Sequence, residues 1–172
     1  SLELWNVETG QLVKVHGRYS EDIGSGSFSS EGTHFAAVTS GGVVQVWNVA
    51  DGRVQRVLWG RQLGPAQRAL LRPDGKVLAA AAMEGPVTLW HTGTGKQMAV
   101  LEGHKGMVQD LAFSPDGKMV AAASSDHVWL WRVFDGTVVG TLKGHQDVVR
   151  GIAFSPDGRS LASSSKDHTL RF

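Results

Sequence analysis

Apolar residues along this chain form short runs of strand length, separated by turn residues. The runs at 43–47 (Val-Val-Gln-Val-Trp) and 87–90 (Val-Thr-Leu-Trp) are rich in the β-branched and aromatic side chains that favour strands. The runs at 76–82 and 159–165 are also about strand length. No segment carries a sustained apolar stripe at helical spacing. The pattern therefore predicts an all-β chain.

Two kinds of turn separate these runs. A glycine follows each recurring tryptophan by five residues, as in Trp47 and Gly52. The second turn is Ser-Ser-Glu-Gly at 29–32, Arg-Pro-Asp-Gly at 72–75, and Ser-Pro-Asp-Gly at 114–117 and 155–158. Proline presets φ at the first corner of such a turn, and glycine accepts the left-handed corner. Two turns in each period predict strands joined by hairpins.

The tryptophans reveal an internal repeat. Trp5, Trp47, Trp90 and Trp131 lie 42, 43 and 41 residues apart, and the next is expected one residue after Phe172. A period in this range is typical of stacked or radially arranged units. The predicted repeats are approximately 6–47, 48–90, 91–131 and 132–172, with residues 1–5 ending a strand of a preceding unit.

Each repeat is predicted to contain four strands, after a leading strand at 2–5. The predicted strands are 11–16, 23–29, 34–40 and 43–47; 53–58, 66–71, 77–82 and 87–90; 97–101, 107–113, 119–124 and 128–131; 137–142, 148–154, 160–165 and 168–172. Four-stranded antiparallel units that recur at this period describe the blades of a β-propeller.

The predicted strands amount to three complete blades, a last blade without its outer strand, and a pair of strands at the start. We expect an incomplete, open segment of a larger propeller, because the chain starts at Ser1 and stops at Phe172 inside strands. The alternative is a small four-bladed ring, in which strand 11–16 completes the last blade. Exposed terminal blades in the open arc predict possible self-association.

Several motifs together resemble the WD-repeat family. Gly103-His104 and Gly144-His145 are each followed, nine residues after the histidine, by a phenylalanine and then Ser-Pro-Asp-Gly. Trp-Asn-Val strand ends add to the resemblance, which covers the whole chain in four consecutive units. Units one and two depart from the pattern: Arg18 and Arg61 stand where histidine is expected, and Gly41 and Glu84 replace the turn aspartate.

The resemblance implies a buried hydrogen-bonded set in the third and fourth units. In the third unit the set is His104, Ser124, Asp126 and Trp131. In the fourth it is His145, Asp167 and one of Ser163 or Ser165. A serine, a histidine and an aspartate in proximity would also suit a hydrolase. Two sets in register with the fold, without a separate oxyanion-hole pattern, favour the structural role, and no catalytic residue is predicted.

Metal binding is a further alternative, because Asp126-His127 and Asp167-His168 occupy equivalent turns. Two such pairs could hold a cation only if their side chains converged, and a propeller fans neighbouring loops apart. Seven histidines without cysteine provide no zinc-ligand spacing. Neither a metal nor a cofactor is predicted.

Charge and composition narrow the remaining classes of function. The net charge is +1 and the basic residues are spread over the units, so we expect no nucleic-acid partner. No apolar stretch is long enough to span a bilayer. The absence of cysteine and of a visible targeting segment points to a cytoplasmic location.

The predicted function is a non-enzymatic protein-protein interaction scaffold that binds a protein or peptide on its loop face. The alternative is a regulatory or sensor propeller in a larger kinase- or protease-fused protein. A propeller that is itself an enzyme has no acid/base constellation in its favour. By resemblance and by position on inner strands, the candidate partner-binding residues are Trp59, Arg61, Arg68, Met83, Gln109, Ser125, Asp147, Arg150 and Lys166. Trp129 and Trp131 are expected to face opposite sides of their strand.

Overall fold

The computed structural model describes residues 2–16, 23–39, 42–59, 66–82 and 85–172. Strands and turns account for these residues, and none of them lies in a helix. All strand pairs are antiparallel. The prediction of an all-β fold is confirmed.

The strands form five successive sheets. The first sheet is β1 (Leu2–Trp5) and β2 (Leu12–His16). The second is β3 (Ile23–Phe28), β4 (His34–Thr39), β5 (Val43–Asn48) and β6 (Val54–Trp59). The third is β7 (Ala66–Leu71), β8 (Val77–Ala82), β9 (Val87–His91) and β10 (Gln97–Leu101). The fourth is β11 (Val108–Phe113), β12 (Met119–Ser124), β13 (His127–Arg132) and β14 (Val138–Leu142). The fifth is β15 (Val149–Phe154), β16 (Leu161–Ser165) and β17 (Leu170–Arg171).

Sheets and sequence repeats are offset by one strand. Strand β2 pairs with β1, and β6 pairs with β5 instead of joining β7. The first strand of each repeat therefore completes the sheet of the preceding repeat. Three complete blades, a three-stranded last blade and a leading pair agree with the prediction of an open arc. Because β2 pairs with β1, it does not complete the fifth sheet. The alternative prediction of a four-bladed ring is therefore wrong.

The hairpin turns are held by their own side chains. In the turn at 114–117, Ser114 Oγ donates to Asp116 Oδ1 at 2.6 Å, and the Lys118 amide donates to the same oxygen at 3.0 Å. These bonds lower the pKa of Asp116, against a smaller opposing effect of burial. Gly117 has φ of 68°, in the left-handed region that glycine tolerates. The turn residues thus fix where β11 ends and β12 begins.

Successive sheets pack face to face, with small side chains in their middle strands. All six residues of β8 are buried, four of them alanines. Three apolar cores lie between the second and third, third and fourth, and fourth and fifth sheets. Burial between close-packed sheets outweighs the weak strand propensity of alanine. The inner strands β3, β7, β11 and β15 contact one another in chain order, which gives the arc its concave side.

The two tryptophans of β13 lie on the same side of the strand. Their rings are stacked, with centroids 6.1 Å apart and planes at 19°. The expectation that they face opposite sides is wrong, because residues i and i+2 of a regular strand point the same way. Both rings belong to the core between the third and fourth sheets.

Candidate partner-binding face and its supporting network

A hydrogen-bond network ties the last hairpin to the loop before β15. His145 Nδ1 donates to Asp167 Oδ2 at 2.8 Å, and Ser163 Oγ lies 2.9 Å from His145 Nε2. Thr169 Oγ1 also lies 3.2 Å from His145 Nδ1. His145 and Ser163 are both 7% exposed, and these hydrogen bonds provide partners for polar groups that water does not reach. Ser163, and not Ser165, is the serine of this network, since Ser165 Oγ donates to the Asp147 carbonyl at 2.8 Å.

Asp167 is the centre of this network. Burial works against its ionisation, but donors converge on its carboxylate from Thr169 Oγ1, the Gln146 amide, His145 and the Thr169 amide. Together these hydrogen bonds lower the pKa of Asp167 well below its usual range. The charged carboxylate therefore fastens the β16–β17 turn to the neighbouring loop.

The third unit is arranged differently from the predicted set. His104 Nε2 donates to the Gly85 carbonyl at 3.0 Å, and His104 Nδ1 is buried without a hydrogen-bond partner. Trp131 Nε1 donates to the Glu102 carbonyl at 3.0 Å. Ser124 Oγ bonds the Lys105 carbonyl, and Asp126 bonds the neighbouring His127. Within the predicted set, the rings of His104 and Trp131 pack edge to face, with centroids 5.9 Å apart.

Turn length explains this difference. The β12–β13 turn contains only Ser125 and Asp126, because Ser124 pairs with His127. The equivalent connection in the fifth sheet has an additional residue, His168, in a left-handed conformation with φ of 65°. Asp126 is thereby held on the surface beside His127, away from His104.

A second difference is readable in the sequence itself. Ser163 lies eight residues after Ser155 of its Ser-Pro-Asp-Gly turn, and the residue eight after Ser114 is Ala122. The third unit therefore lacks a hydroxyl at the position that bonds His145 in the fourth. The missing hydroxyl is visible in the sequence when the two units are aligned on their Ser-Pro-Asp-Gly turns.

Three candidate partner-binding residues form a row along the concave side. Arg68 Nε donates to the Gln109 carbonyl at 2.8 Å. Arg150 Nη1 donates to Gln109 Oε1 at 2.7 Å. The row joins the inner strands β7, β11 and β15, and both arginines are exposed. Hydrogen bonds across the blades thus place two guanidinium groups on one surface.

Three further candidates lie together at one end of the sheets. Ser125, Asp147 and Lys166 are all exposed. The Ser125 carbonyl accepts from the Val149 amide at 2.7 Å, and the Lys166 amide donates to the Val148 carbonyl at 3.0 Å. These backbone bonds hold the turns against the loop that leads into β15. The end face is therefore a fixed surface with both charge signs.

The remaining candidates are less defined. Trp59 is the last residue of β6, and its side chain is outside the described set. Arg61 and Met83 lie outside the described residues.

The two Asp-His turns do not converge. His127 Nδ1 forms a hydrogen bond with the carboxylate of the preceding residue, Asp126, and His168 is exposed. Within the described ranges, no three His, Cys, Asp or Glu side chains come close enough to hold a metal ion. The same part of the chain contains no apolar helix of membrane-spanning length.

Comparison with known proteins assigns the repeats. The family model described as "WD domain, G-beta repeat" matches residues 95–132 and 136–172. The chain belongs to the WD-repeat family. WD-repeat domains generally bind other proteins and generally serve as non-enzymatic interaction modules.

Individual relatives agree with this assignment. The periodic tryptophan protein 2 homolog of Schizosaccharomyces pombe is 28% identical over 110 residues, which cover 60% of this chain and 12% of the relative. WD repeat-containing protein SL1-17 of Schistosoma mansoni is 32% identical over 122 residues, which cover 69% of this chain and 38% of the relative. The chain thus spans well under two thirds of these relatives.

A solved structure shares the arc. The computationally designed Ika8 protein superposes with a TM-score of 0.82 at 25% sequence identity, over 98% of this chain and 50% of the designed chain. The blades of this chain therefore follow the same fold as about half of the designed chain.

Proposed function

We propose that this chain is a scaffold that binds a protein or peptide and has no catalytic activity of its own. The observation that carries the proposal is the row of Arg68, Gln109 and Arg150 on the concave side. The row continues from blade to blade through hydrogen bonds of 2.8 and 2.7 Å. Side chains held in this way lose little conformational freedom when a ligand binds.

The chemistry of the row favours a peptide segment that presents carboxylate or carbonyl oxygens. Arg150 uses one donor in the row, and a guanidinium has five N–H donors in total. Arginine pairs with carboxylates in bidentate geometry and is enriched at interface hot spots. Asp147 and Lys166 at the end of the sheets add charges of both signs that would select the orientation of the segment.

A random peptide library displayed on phage tests this function. Peptides enriched on the 172-residue chain should contain acidic residues. Fluorescence anisotropy should show that Arg150→Ala lowers the affinity for these peptides by about tenfold or more. Arg159→Ala is the matched control, because Arg159 is an exposed arginine of a turn remote from the row. Enriched peptides that bind both variants and the parent equally would contradict the assignment of the row.

The second candidate is a regulatory or sensor propeller within a larger kinase- or protease-fused protein. It is supported by the small share of the relatives' length that the chain spans, 12% for the Schizosaccharomyces pombe protein. Sequencing the gene on both sides of this segment tests it. A kinase or protease motif in the same reading frame supports this candidate, and a reading frame of WD repeats alone contradicts it.

A cytoplasmic location is part of the same proposal, since a cysteine-free chain suits a reducing compartment but does not require one. Fluorescence microscopy of the natural full-length protein with a fluorescent tag tests the location directly. Signal confined to a membrane-enclosed compartment would contradict it.

A further inference from the structure

A groove of about 570 Å³ lies between the third and fourth sheets, at the end that carries the β7–β8, β11–β12 and β13–β14 turns. Both of these sheets are complete, with four strands each. We call it the outer groove, because the outer strands β10 and β14 form part of its walls. Its apolar and cationic wall residues include Met98, Phe134 and Val139, and Arg72, Lys118 and Arg132.

The outer groove is open because a short side chain stands where the preceding sheet has an arginine. Arg56 of β6 donates from Nη2 to the carbonyl of Gly93, so its side chain crosses from the second sheet to the third. Counted from the glycine of the preceding turn, the residue of β10 equivalent to Arg56 is Ala99. The methyl group of Ala99 is too short to cross to the fourth sheet in the same way.

Three apolar side chains of the outer groove are left in water. Phe134 is 91% exposed, Val139 is 50% exposed and Met98 is 44% exposed. At the junction of the second and third sheets, the equivalents of Phe134 and Met98 are Gly93 and Gln55. The apolar cluster is therefore particular to the junction of the third and fourth sheets, and clustered exposed apolar side chains mark interaction sites.

Cationic side chains border the apolar cluster, and two of them keep donors for a ligand. Lys118 Nζ lies 3.8 Å from Asp116 Oδ2, and this ion pair is weak because the Lys118 side chain is 82% exposed. Arg132 donates from Nη1 to Asp135 Oδ2 at 3.2 Å. A guanidinium has five N–H donors, so Arg132 retains capacity for a second carboxylate.

The walls of the outer groove carry an excess of positive charge. Arg72, Lys118 and Arg132 are cationic, and Asp116 is the one acidic wall residue in the described part of the chain. Arg72 is held within its own turn by Asp74, through bonds of 2.8 and 2.6 Å. Lys118 and Arg132 are therefore the two groups that favour an anionic ligand.

We propose that the outer groove binds a linear peptide segment of a partner protein, in which an apolar side chain lies next to an acidic one. The apolar side chain packs against Met98, Phe134 and Val139, and the carboxylate pairs with Lys118 or Arg132. A volume of about 570 Å³ is that of a pocket for a drug-sized ligand, which corresponds to a few side chains of a peptide. This second docking surface goes beyond the proposed function and does not depend on the row on the concave side.

Differential selection from a peptide library tests the proposal. A phage library with leucine or phenylalanine fixed at the centre, and random residues around it, is depleted on Phe134→Ala and then selected on the parent chain. The Phe134 ring is exposed, so its removal should leave the fold intact. Enriched peptides should carry aspartate or glutamate beside the fixed apolar residue.

Fluorescence anisotropy with one enriched peptide measures the two halves of the site. Val139→Ala should lower the affinity by about threefold or more. Val138→Ala is its matched control, because Val138 is 51% exposed but is not among the described wall residues. Lys118→Glu should lower the affinity by about tenfold or more, and Lys105→Glu, an exposed change at the other end of the sheets, should preserve it.

The same measurement separates this site from the row on the concave side. Arg150→Ala should leave the affinity of the enriched peptide unchanged, because Arg150 lies on the inner strand β15. An acidic peptide that binds the row should not displace the enriched peptide from the parent chain. Displacement, or a loss of affinity in the Arg150 variant, would assign the peptide to the row and overturn the outer groove as its site.

Three further outcomes would overturn the proposal. The first is a selection that enriches no peptide on the parent chain over Phe134→Ala. The second is an enriched peptide with equal affinity for the parent and Lys118→Glu, which would remove the acidic half of the ligand. The third is a parent chain that dimerises and returns to 18.4 kDa as Phe134→Ala, which would make a second copy the occupant of the groove.

Discussion

At the residue scale, the hydrogen-bond partners of each buried polar side chain determine how much it contributes to stability. His145 reaches Asp167 and Ser163, whereas His104, at the same position of its repeat, reaches a backbone carbonyl and leaves Nδ1 without a partner. Identical residue types thus have different roles in consecutive blades.

Trp131→Phe should lower the free energy of unfolding by about 1–3 kcal/mol. The substitution removes the hydrogen bond from Nε1 to the Glu102 carbonyl and leaves a space in the core between the third and fourth sheets. Urea denaturation followed by circular dichroism measures the change.

Phe134→Ala is the control for this substitution, because Phe134 is 91% exposed and should change the free energy by no more than about 0.5 kcal/mol. Equal unfolding midpoints for the parent and the Trp131 variant would contradict the structural role of the indole.

His104 should make stability fall as the pH is lowered below about 6.5. Burial lowers the pKa of His104, and the bond to the Gly85 carbonyl opposes this only in part. The unfolded chain therefore binds the proton more readily than the folded chain, so the free energy of unfolding drops with decreasing pH. The contribution is at most about 1.4 kcal/mol per pH unit.

His104→Gln removes the titrating group and keeps a side-chain donor for the Gly85 carbonyl. Urea denaturation between pH 7.5 and 5.5, values that bracket about 6.5, should show a shallower slope for this variant. His168→Gln, an exposed change in a turn, should keep the slope of the parent. A His104 variant with the parent's slope would assign the pH dependence to other groups.

At the element scale, turns determine which residues meet. The two-residue β12–β13 turn holds Asp126 beside His127, and the longer β16–β17 connection turns Asp167 inward. Turn conformation is therefore a direct target for substitution.

Gly117→Ala should destabilise the protein by about 1–2 kcal/mol. Gly117 has φ of 68°, and an added Cβ would lie 2.8 Å from Cδ of Arg72 in the neighbouring turn. Thermal denaturation should show a lower midpoint for this variant.

Gly140→Ala tests whether the effect comes from conformation instead of from loss of a glycine. Gly140 lies in β14, and a Cβ there would meet no atom within 4 Å. Its midpoint should equal or slightly exceed that of the parent. Equal losses at both glycines would contradict the left-handed requirement at Gly117.

At the scale of the whole molecule, the blades form a linear series in which each sheet packs on its neighbours. The middle strands β8 and β12 each contribute to two apolar cores, whereas the fifth sheet contributes to one. Stability in such arrays is a sum of unit and nearest-neighbour contributions.

Hydrogen exchange should therefore be slowest in β8 and β12 and fastest in β1, β2 and β17 at concentrations where the chain is monomeric. Mass spectrometry of peptides from exchanged protein measures this order. Uniform exchange along the chain would contradict the linear series.

The sequence by itself determined the repeat, the all-β class and the position of the hairpins. Trp5, Trp47, Trp90 and Trp131 mark the period, and the Ser-Pro-Asp-Gly turns mark strand ends within it. These signals are local, because a turn depends on the φ preferences of four adjacent residues. The Arg68, Gln109 and Arg150 positions on inner strands were predictable for the same reason.

The tertiary structure decided which sheet each strand joins and which polar groups meet. Strand β2 pairs with β1 although it belongs to the repeat of β3, and β8 is buried although alanine is a weak strand former. His145 bonds Asp167, which lies 22 residues further along the chain. Asp126 does not reach His104, because the β12–β13 turn is one residue shorter than the equivalent turn of the fifth sheet. Such outcomes depend on packing between distant segments, where a small local change in length redirects a side chain completely.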